Sequence, residues 1–385
     1  MKSRRCIALF ILLCLCTLLV TLTDIHAEDL TESYTEDYEN MKNSINSEIA
    51  DYLPDGVLSS ENAEDELNRA VSELTSFDYI VAIIGEILAF AAKDTLSLVF
   101  SVCGLLILSS VLEALRESLS SKALSKAVSL ICGLAIISAI IALQYPRFEY
   151  ISQFFDNMCN FMKGLIPLMC TVYAVGGNIN TATVSGGALI LFIDIFQNFY
   201  AKSLFAVTGI CFACAICGAI TPMEGFATIA KFVKKTYTFI LSLIMIVFTT
   251  LFSAQSALAS ANDSAASKAA KYMLGSFIPV VGGTASDSLK VLSCSVSYVK
   301  TNIGVLGVSI IIIILLPVIL TLSITRLAYI FCEAVAKLLG CRVEADLLNE
   351  IGGIYSFIIA VVFSSSLLFI YTIVIFIKCT VAVSG

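Results

Sequence analysis

The sequence predicts an all-α fold, a polytopic membrane helix bundle of about six to eight spans. Of its 385 residues, 58% are hydrophobic and 14% are charged, whereas an ordinary soluble domain is about 45–50% apolar and about 25% charged. Several apolar runs reach the length of about 20 residues that a spanning helix needs. A soluble globule of this size could not hide the excess and still cover its surface, so a bilayer must supply the apolar solvent.

The N-terminus has the layout of an export signal. A basic start at Met1–Arg5 precedes an apolar run at Ile7–Leu22, and a short polar stretch then leads to Glu28. We predict that residues 1–27 are a signal peptide or an uncleaved signal anchor, because Ile25 is a poor residue before a cleavage site. Both interpretations place Glu28 outside the cytoplasm.

An acidic segment at residues 28–76 follows and is predicted to be extracytoplasmic. Residues 28–78 contain fifteen Asp and Glu against only Lys42 and Arg69, whereas residues 79–385 carry a net charge of +4. The overall charge of −7 therefore reflects an acidic extension attached to a mildly basic membrane body. No basic patch suggests a nucleic-acid partner.

Residues 77–93 have the pattern of an amphipathic interfacial helix. Apolar residues recur there at helical spacing, whereas Glu86 and Lys93 lie on other sides. A first membrane span is the alternative. Residues 94–385 are predicted to form the multi-spanning membrane domain.

Six apolar runs in this domain are predicted to cross the bilayer, at about 95–112, 127–143, 203–221, 237–256, 303–325 and 354–377. Three connections carry basic clusters, namely Arg116/Lys122/Lys126, Lys231/Lys234/Lys235 and Arg326/Lys337/Arg342. Placing all three in the cytoplasm satisfies the positive-inside rule and agrees with an exported Glu28. The fit is imperfect, because region 257–302 would then lie outside, or be re-entrant, although it holds four lysines.

Two further apolar regions, at about 157–199 and about 268–300, are interrupted by proline and glycine. Phe161–Pro167 parallels Tyr272–Pro279 with one residue inserted, and a Val-Gly-Gly follows in each. We predict two broken or re-entrant segments, and the match suggests a parallel internal repeat of two spans plus one broken segment.

The broken segments are the first candidates for a functional site. Backbone groups freed at membrane depth must face protein or water, and paired interruptions in two halves of a bundle indicate a transport pathway. The alternative is that proline and glycine only kink the spans and let helices pack closely. The candidate pathway or interface residues are Pro167, Gly176, Gly177, Asn178, Asn180, Asp194, Pro279, Gly282 and Gly283.

Asp194 belongs to this set because it lies in an otherwise apolar helix, with Gln197 and Asn198 on the same face. A charge in hydrocarbon costs about 2.5–3.5 kcal/mol on insertion scales. Asp194 should therefore face a partner, a cavity or a subunit interface. Alternatively, this helix ends near the surface and the carboxylate is wetted.

Enzymatic chemistry finds no support in the sequence. His26 is the only histidine and no Walker A loop is present, so catalytic triads and nucleotide hydrolysis are not predicted. Cys211, Cys214 and Cys217 have Cys-x-x-Cys spacing, yet their apolar helix has no other ligand, so packing is favoured over a metal or redox site. We predict no enzyme, no catalytic residue, no cofactor and no metal.

Connection 326–353 mixes apolar and charged residues. Two interpretations stay open for it. It is either an amphipathic surface that docks a cytoplasmic partner, or a helix that lies on the bilayer.

Taken together, the signal, the acidic exported segment, the hairpin spans, the two Ile-Pro…Val-Gly-Gly segments and the Leu-Leu-Asn-Glu-Ile-Gly-Gly stretch at 347–353 resemble the stage III sporulation protein AE family of endospore-forming bacteria. The resemblance covers nearly the whole chain and is best over about 95–377. It implies a multi-pass protein of the mother-cell membrane around the forespore. The implied partners are other proteins of the stage III sporulation A operon, including a cytoplasmic ATPase and intermembrane ring proteins, together with membrane lipid. No catalytic residue is carried over.

Three functional hypotheses follow from these observations. The first is a non-enzymatic membrane subunit of a channel-like, secretion-like complex needed for late forespore development. The second is a secondary transporter of a small solute that uses the duplicated broken segments. The third is an inert scaffold. A homo-oligomer is compatible with all three.

Overall fold

Six long helices dominate the computed structural model of the chain. The structure describes residues 33–45, 53, 72, 74, 76–117, 131, 134–135, 137–220, 224–277 and 282–378. The helices are α1 (Phe77–Glu117), α2 (Tyr145–Val175), α3 (Ile179–Ile220), α4 (Glu224–Phe277), α5 (Gly282–Leu338) and α6 (Arg342–Lys378). A short N-terminal helix covers residues 33–43, and the described residues contain no strand. The predicted all-α class is confirmed.

Each of the six helices is long and apolar enough to cross a membrane. Their lengths run from 31 residues in α2 to 57 in α5. At 1.5 Å per residue these helices measure roughly 45–85 Å, more than a hydrocarbon core of about 30 Å. The chain is therefore a multi-pass membrane bundle, as predicted, with helices that continue beyond the bilayer.

The observed helices join some of the predicted segments. Residues 77–93 and the predicted span 95–112 form one helix, α1, without a break at residue 94. The described part of the predicted span 127–143 runs into α2, because the amide of Leu143 bonds to Ala139 O and that of Phe148 bonds to Gln144 O. Residues Ile137–Val175 together form one helical stretch that is long and apolar enough to cross a membrane.

α2 belongs to the most buried spanning stretch of the described bundle. It packs between α3 and α5, and large apolar side chains such as Phe154, Met158, Phe161 and Leu165 are at most 2% exposed. α5 and α6 form a hairpin, α3 and α4 form another, and α1 packs chiefly against α5. Because α1 has no second extensive neighbour, it is the peripheral helix of the described part.

One end of the bundle, which we call the Gly340 end, holds the α5–α6 turn. Gly340 has φ +81°, a left-handed conformation that closes this turn and favours glycine. The Sγ of Cys341 lies 3.7 Å from the carbonyl of Leu106 in α1, and Lys234 at the start of α4 lies 3.8 Å from Glu350 in α6. The two basic clusters at 231–235 and 326–342 thus lie on this side of the molecule.

The opposite end, which we call the Gly177 end, holds the turn between α2 and α3. Tyr173 at the end of α2 packs on Phe376 at the end of α6, with 5.4 Å between ring centroids. The N-terminal helix lies toward this end, since the Thr171 hydroxyl donates a hydrogen bond of 2.6 Å to Asp37. The acidic N-terminal helix and the basic connections are therefore separated along the bundle axis.

Candidate functional site

The predicted site residue Asp194 has a charged partner on the neighbouring helix. The ammonium of Lys163 in α2 lies 2.7 Å from the Asp194 carboxylate in α3. Lys163 also donates a hydrogen bond of 2.9 Å to Gln197, whose amide group donates one of 3.1 Å to Asp156. These four residues, which we call the α2–α3 polar network, contain one cation and two carboxylates.

Aromatic contacts fix the depth of this network. Phe192 stacks on Phe248 of α4, and Phe196 packs edge-on against Phe369 of α6. Phe248 and Phe369 lie inside the apolar runs 237–256 and 354–377. Asp194, which lies between the two α3 rings in sequence, is therefore level with the apolar runs of α4 and α6 and is not at a helix end.

The network faces outward from the described bundle. The side chains of Lys163 and Asp194 are 37% and 53% exposed, and the neighbouring Leu191 and Ile195 are each 67% exposed. Charged groups at membrane depth are unfavourable against lipid, even when paired. The arrangement thus suits a surface that meets water or another protein within the membrane.

The first interrupted region contains a tight turn. Pro167 lies inside α2, which runs unbroken from Tyr145 to Val175. The interruption is at Gly176-Gly177, where Gly177 has φ +79° and Asn178 is fully buried. Pro167 lacks the backbone N–H of an ordinary helical residue. This single loss does not break α2, because the apolar residues on either side of Pro167 are buried against other helices. This region is thus two helices joined by a turn.

Asp263 of α4 is a site residue that sequence reasoning missed. Its carboxylate accepts two hydrogen bonds from Asn180, one from the backbone and one from the side-chain amide, at 3.0 and 2.9 Å. It accepts two more from the amide and hydroxyl of Thr181, at 2.8 and 2.7 Å. Asp263 is only 3% exposed. It therefore satisfies the free N–H groups at the α3 N-terminus and carries a charge that complements the helix dipole there.

A sequence signal for Asp263 exists in retrospect. It is the only acidic residue in the Ala- and Ser-rich stretch 257–277. Its role becomes visible only when α4 is placed beside the turn that holds the predicted residues Asn178 and Asn180.

The second interrupted region is described in part. Pro279 lies outside the described residues, whereas Gly282 and Gly283 form the first turn of α5. Lys300 of α5 lies over the ring of Tyr173, 5.6 Å from its centroid, so α5 starts on the side of the Gly177 end. The glycine pairs of both regions thus lie at helix boundaries on the same side of the bundle.

The three cysteines of the Cys-x-x-Cys pattern do not share one environment. Cys211 is buried, with its Sγ 3.9 Å from the carbonyl of Ala230, Cys214 is half-buried and Cys217 is exposed. Within the described ranges, no group of three His, Cys, Asp or Glu residues is placed to hold a metal ion. Cys211 has the environment of a small packing residue.

Connection 326–353 forms the tip of the α5–α6 hairpin. Its apolar side chains Leu327, Phe331 and Leu338 are 64%, 56% and 87% exposed. A cavity of about 410 Å³ lies nearby, between α3, α4 and α6, and Asp346 and Glu350 line it. The Gly340 end therefore offers an apolar surface with charged groups beside it.

Comparisons with known proteins place the chain in a family. The family model described as stage III sporulation protein AE matches residues 64–380. Stage III sporulation protein AE of Bacillus subtilis (strain 168) is 24% identical over 233 residues. That alignment covers 59% of this chain and 57% of the relative, so it spans little more than half of the relative's length. No solved structure matches.

Proposed function

From the finding that this chain belongs to the stage III sporulation protein AE family, we propose that it is a non-enzymatic membrane subunit of a channel-like, secretion-like complex in the mother-cell membrane around the forespore. The complex would be needed for late forespore development. Its other members would be proteins of the stage III sporulation A operon, including a cytoplasmic ATPase and intermembrane ring proteins.

One observation carries this proposal: the family match over residues 64–380 falls on a membrane bundle whose described part has six long helices and chemically different ends. The Gly340 end has the basic connections, which favour the cytoplasm under the positive-inside rule. The acidic N-terminal helix lies toward the other end, which would face the space between the two membranes. The bundle would thus expose one end to the ATPase and the other to the ring proteins.

The hairpin tip is the proposed ATPase contact. Leu327, Phe331 and Leu338 are exposed there, beside charged residues such as Lys337 and Glu333, which form an ion pair of 2.5 Å. An apolar centre with a polar rim is the usual composition of a protein–protein contact. The bilayer-surface alternative predicts instead that these side chains contact lipid.

The α2–α3 polar network is the proposed pathway or subunit interface inside the membrane. Lys163, Asp194 and Gln197 lie on the outer side of two helices, level with the apolar runs of α4 and α6. A second copy of the chain or a neighbouring subunit would shield these groups from lipid.

A secondary transporter of a small solute is the second candidate function, and the same Lys163–Asp194 pair favours it, since intramembrane charges often mark solute or proton pathways. The glycine breaks at 176–177 and 282–283 favour it less, because they lie at helix boundaries. Solute uptake into liposomes by the purified protein, abolished by Asp194→Asn, would support this candidate.

A clean deletion of the gene tests the leading proposal. We expect sporulation to stop after engulfment while vegetative growth continues, and a normal spore yield would contradict the proposal. Affinity purification from sporulating cells should recover the ATPase and the ring proteins together with the chain.

A matched pair of variants tests the ATPase contact. Phe331→Ser removes an exposed ring at the hairpin tip, whereas Phe239→Ser removes a ring of similar exposure, 67%, from the apolar run of α4. We expect Phe331→Ser alone to lose the ATPase while it retains the ring proteins. Equal recovery of the ATPase with both variants would favour the bilayer-surface alternative.

A further inference from the structure

A cavity of about 740 Å³ lies between α1, α2 and α5. It is separate from the α2–α3 polar network and from both glycine turns. Ile314, Pro317 and Val318 of α5 line one wall. Because these residues lie in the apolar run 303–325, the cavity is at membrane depth.

The other two walls carry charged and polar groups among apolar side chains. Glu86, Asp94 and Ser97 of α1 face the cavity from one side, and Arg147 and Asn157 of α2 face it from another. A cavity at this depth that only held lipid chains would be expected to have an apolar lining, since polar groups against hydrocarbon are costly.

The charges in the lining do not cancel. Arg147 lies 2.7 Å from Asp94 and also donates a hydrogen bond of 3.1 Å to the Leu143 carbonyl, and its side chain is 13% exposed. Asp94 is therefore compensated by Arg147. Among the described lining residues, Glu86 is the remaining charged group, so the cavity carries a formal charge of −1.

Two further features favour bound water. Pro317 has no N–H, so the carbonyl of Ile313 lacks its usual helical donor beside the cavity wall. The Nε of Arg147 is buried without a hydrogen-bond partner in the part of the chain that the structure describes. Buried polar atoms of this kind are usually satisfied by ordered water.

We propose that this cavity is a water-filled site that takes small monovalent cations, with Glu86 as the attracting carboxylate. At about 30 Å³ per molecule, its volume corresponds to roughly 25 waters, which is enough for a hydrated alkali ion or an organic ammonium group. A lining with a net negative charge attracts both of these cations. The proposal requires membrane insertion, but it does not depend on the sporulation partners.

Cysteine labelling tests whether the cavity holds water. Ser97→Cys places a thiol in the lining, and Leu96→Cys places one on the adjacent position of α1, which is 55% exposed but does not line the cavity. The purified full-length protein in nanodiscs is treated with a charged, membrane-impermeant thiosulfonate. Peptide mass spectrometry then measures modification at each site, independently of the native cysteines. We expect Ser97→Cys to react at least about tenfold faster, and equal or slower reaction would overturn the proposal.

Reagent charge tests the preference for cations. At Ser97→Cys we expect a trimethylammonium reagent to react about tenfold faster than a sulfonate reagent, after correction for their rates with a free thiol. Adding Glu86→Gln should remove most of this preference. Adding Glu149→Gln, which makes the same charge change at an exposed site outside the cavity, should leave this preference unchanged. A preference that is absent, or that survives Glu86→Gln, would overturn the role of Glu86.

Competition identifies the type of cation. The trimethylammonium reaction at Ser97→Cys is repeated in sodium chloride, ethylammonium chloride or choline chloride at constant ionic strength. Slowing by sodium supports an alkali-ion site, and slowing by ethylammonium supports an amine site. Equal rates in all three salts would show that no small cation occupies the cavity.

Discussion

Lys163 of α2 and Asp194 of α3 form an ion pair of 2.7 Å at a level of the bundle where the neighbouring rings are apolar. An unpaired charge that faced lipid at this level would be unfavourable. Each residue acts as the counter-ion of the other. Together they form a site that remains polar on the outer side of the bundle.

Removing one member of this pair should destabilise the protein more than removing both. Asp194→Asn leaves the Lys163 charge without its partner, whereas the double variant with Lys163→Gln leaves two neutral amides that can bond to each other. We expect a coupling energy of about 1 kcal/mol, at the lower end of the usual range because both side chains are partly exposed. Thermal unfolding in nanodiscs, followed with a thiol-reactive dye that reports buried cysteines, measures it.

Glu149→Gln provides the control for this cycle, since Glu149 is exposed on the same helix as Lys163. It should leave the melting temperature nearly unchanged. Strict additivity of the two single variants would show that the ion pair contributes nothing to stability.

Asp263 should be sensitive to loss of its acceptor oxygens. Asp263→Ala leaves four donors of Asn180 and Thr181 without their partner, in a position that is 3% exposed. We expect a loss of about 2–3 kcal/mol, because unpaired buried donors retain their desolvation penalty. Asp263→Asn keeps one acceptor oxygen and should lose less. Melting measurements on both variants check this order, and an equal, small effect would contradict the capping role.

Gly164 is expected to control how the N-terminal helix docks on α2. A Cβ at this position would lie 2.8 Å from the backbone Cα of Met41 and 2.7 Å from the Ser44 hydroxyl oxygen. Gly164→Ala should therefore displace the N-terminal helix and expose residues 33–45 to protease. Gly187→Ala is the control, since nothing lies within 4 Å of a Cβ there. Equal digestion rates for both variants would contradict the observed close approach.

Gly340 should tolerate substitution poorly for a different reason. A Cβ would meet nothing within 4 Å, but the residue has φ +81°. Gly340→Ala should destabilise the hairpin by about 1–2 kcal/mol through backbone strain alone. Gly85→Ala, also without steric contacts but inside α1, should be neutral or stabilising. Melting temperatures of the two variants distinguish strain from a general effect of alanine.

The two ends of the bundle should lie on opposite faces of the membrane. An alkaline phosphatase fusion at residue 178, beside the Gly177 turn, should be active because that enzyme works only after export. An alkaline phosphatase fusion at residue 340 should be inactive, because that end is proposed to face the cytoplasm. A fluorescent protein fused at residue 340 should fluoresce for the same reason. Activity in the reverse pattern would invert the proposed orientation.

Much of this architecture could be predicted from sequence because it depends on composition and local pattern. Apolar runs such as 237–256 and 354–377 can be recognised from the sequence alone, since a helix that crosses a bilayer needs about 20 apolar residues. The alternation of basic connections likewise indicated which turns share a side. The continuity of α1 across residue 94 was harder to predict, because the charged Lys93 and Asp94 interrupt its apolar pattern. The continuity of α2 across Pro167 was harder to predict because burial by neighbouring helices overrides a local helix breaker.

The candidate site was likewise predictable from the sequence only in part. Asp194 could be selected from the sequence because a carboxylate inside an apolar run is unusual. Its partner Lys163 lies on another helix, 31 positions earlier, and no local pattern connects the two. The capping of α3 by Asp263 depends on a contact over 82 positions.

The sequence by itself therefore determined that this chain is a multi-pass helical membrane protein. The length of its apolar runs and the distribution of its charges depend only on the order of the residues, not on which residues are in contact. Only the tertiary structure decided which charges meet, which glycines form turns and where polar groups line a cavity. Those features depend on distances between helices, and helix packing sets such distances through side chains that are remote in sequence.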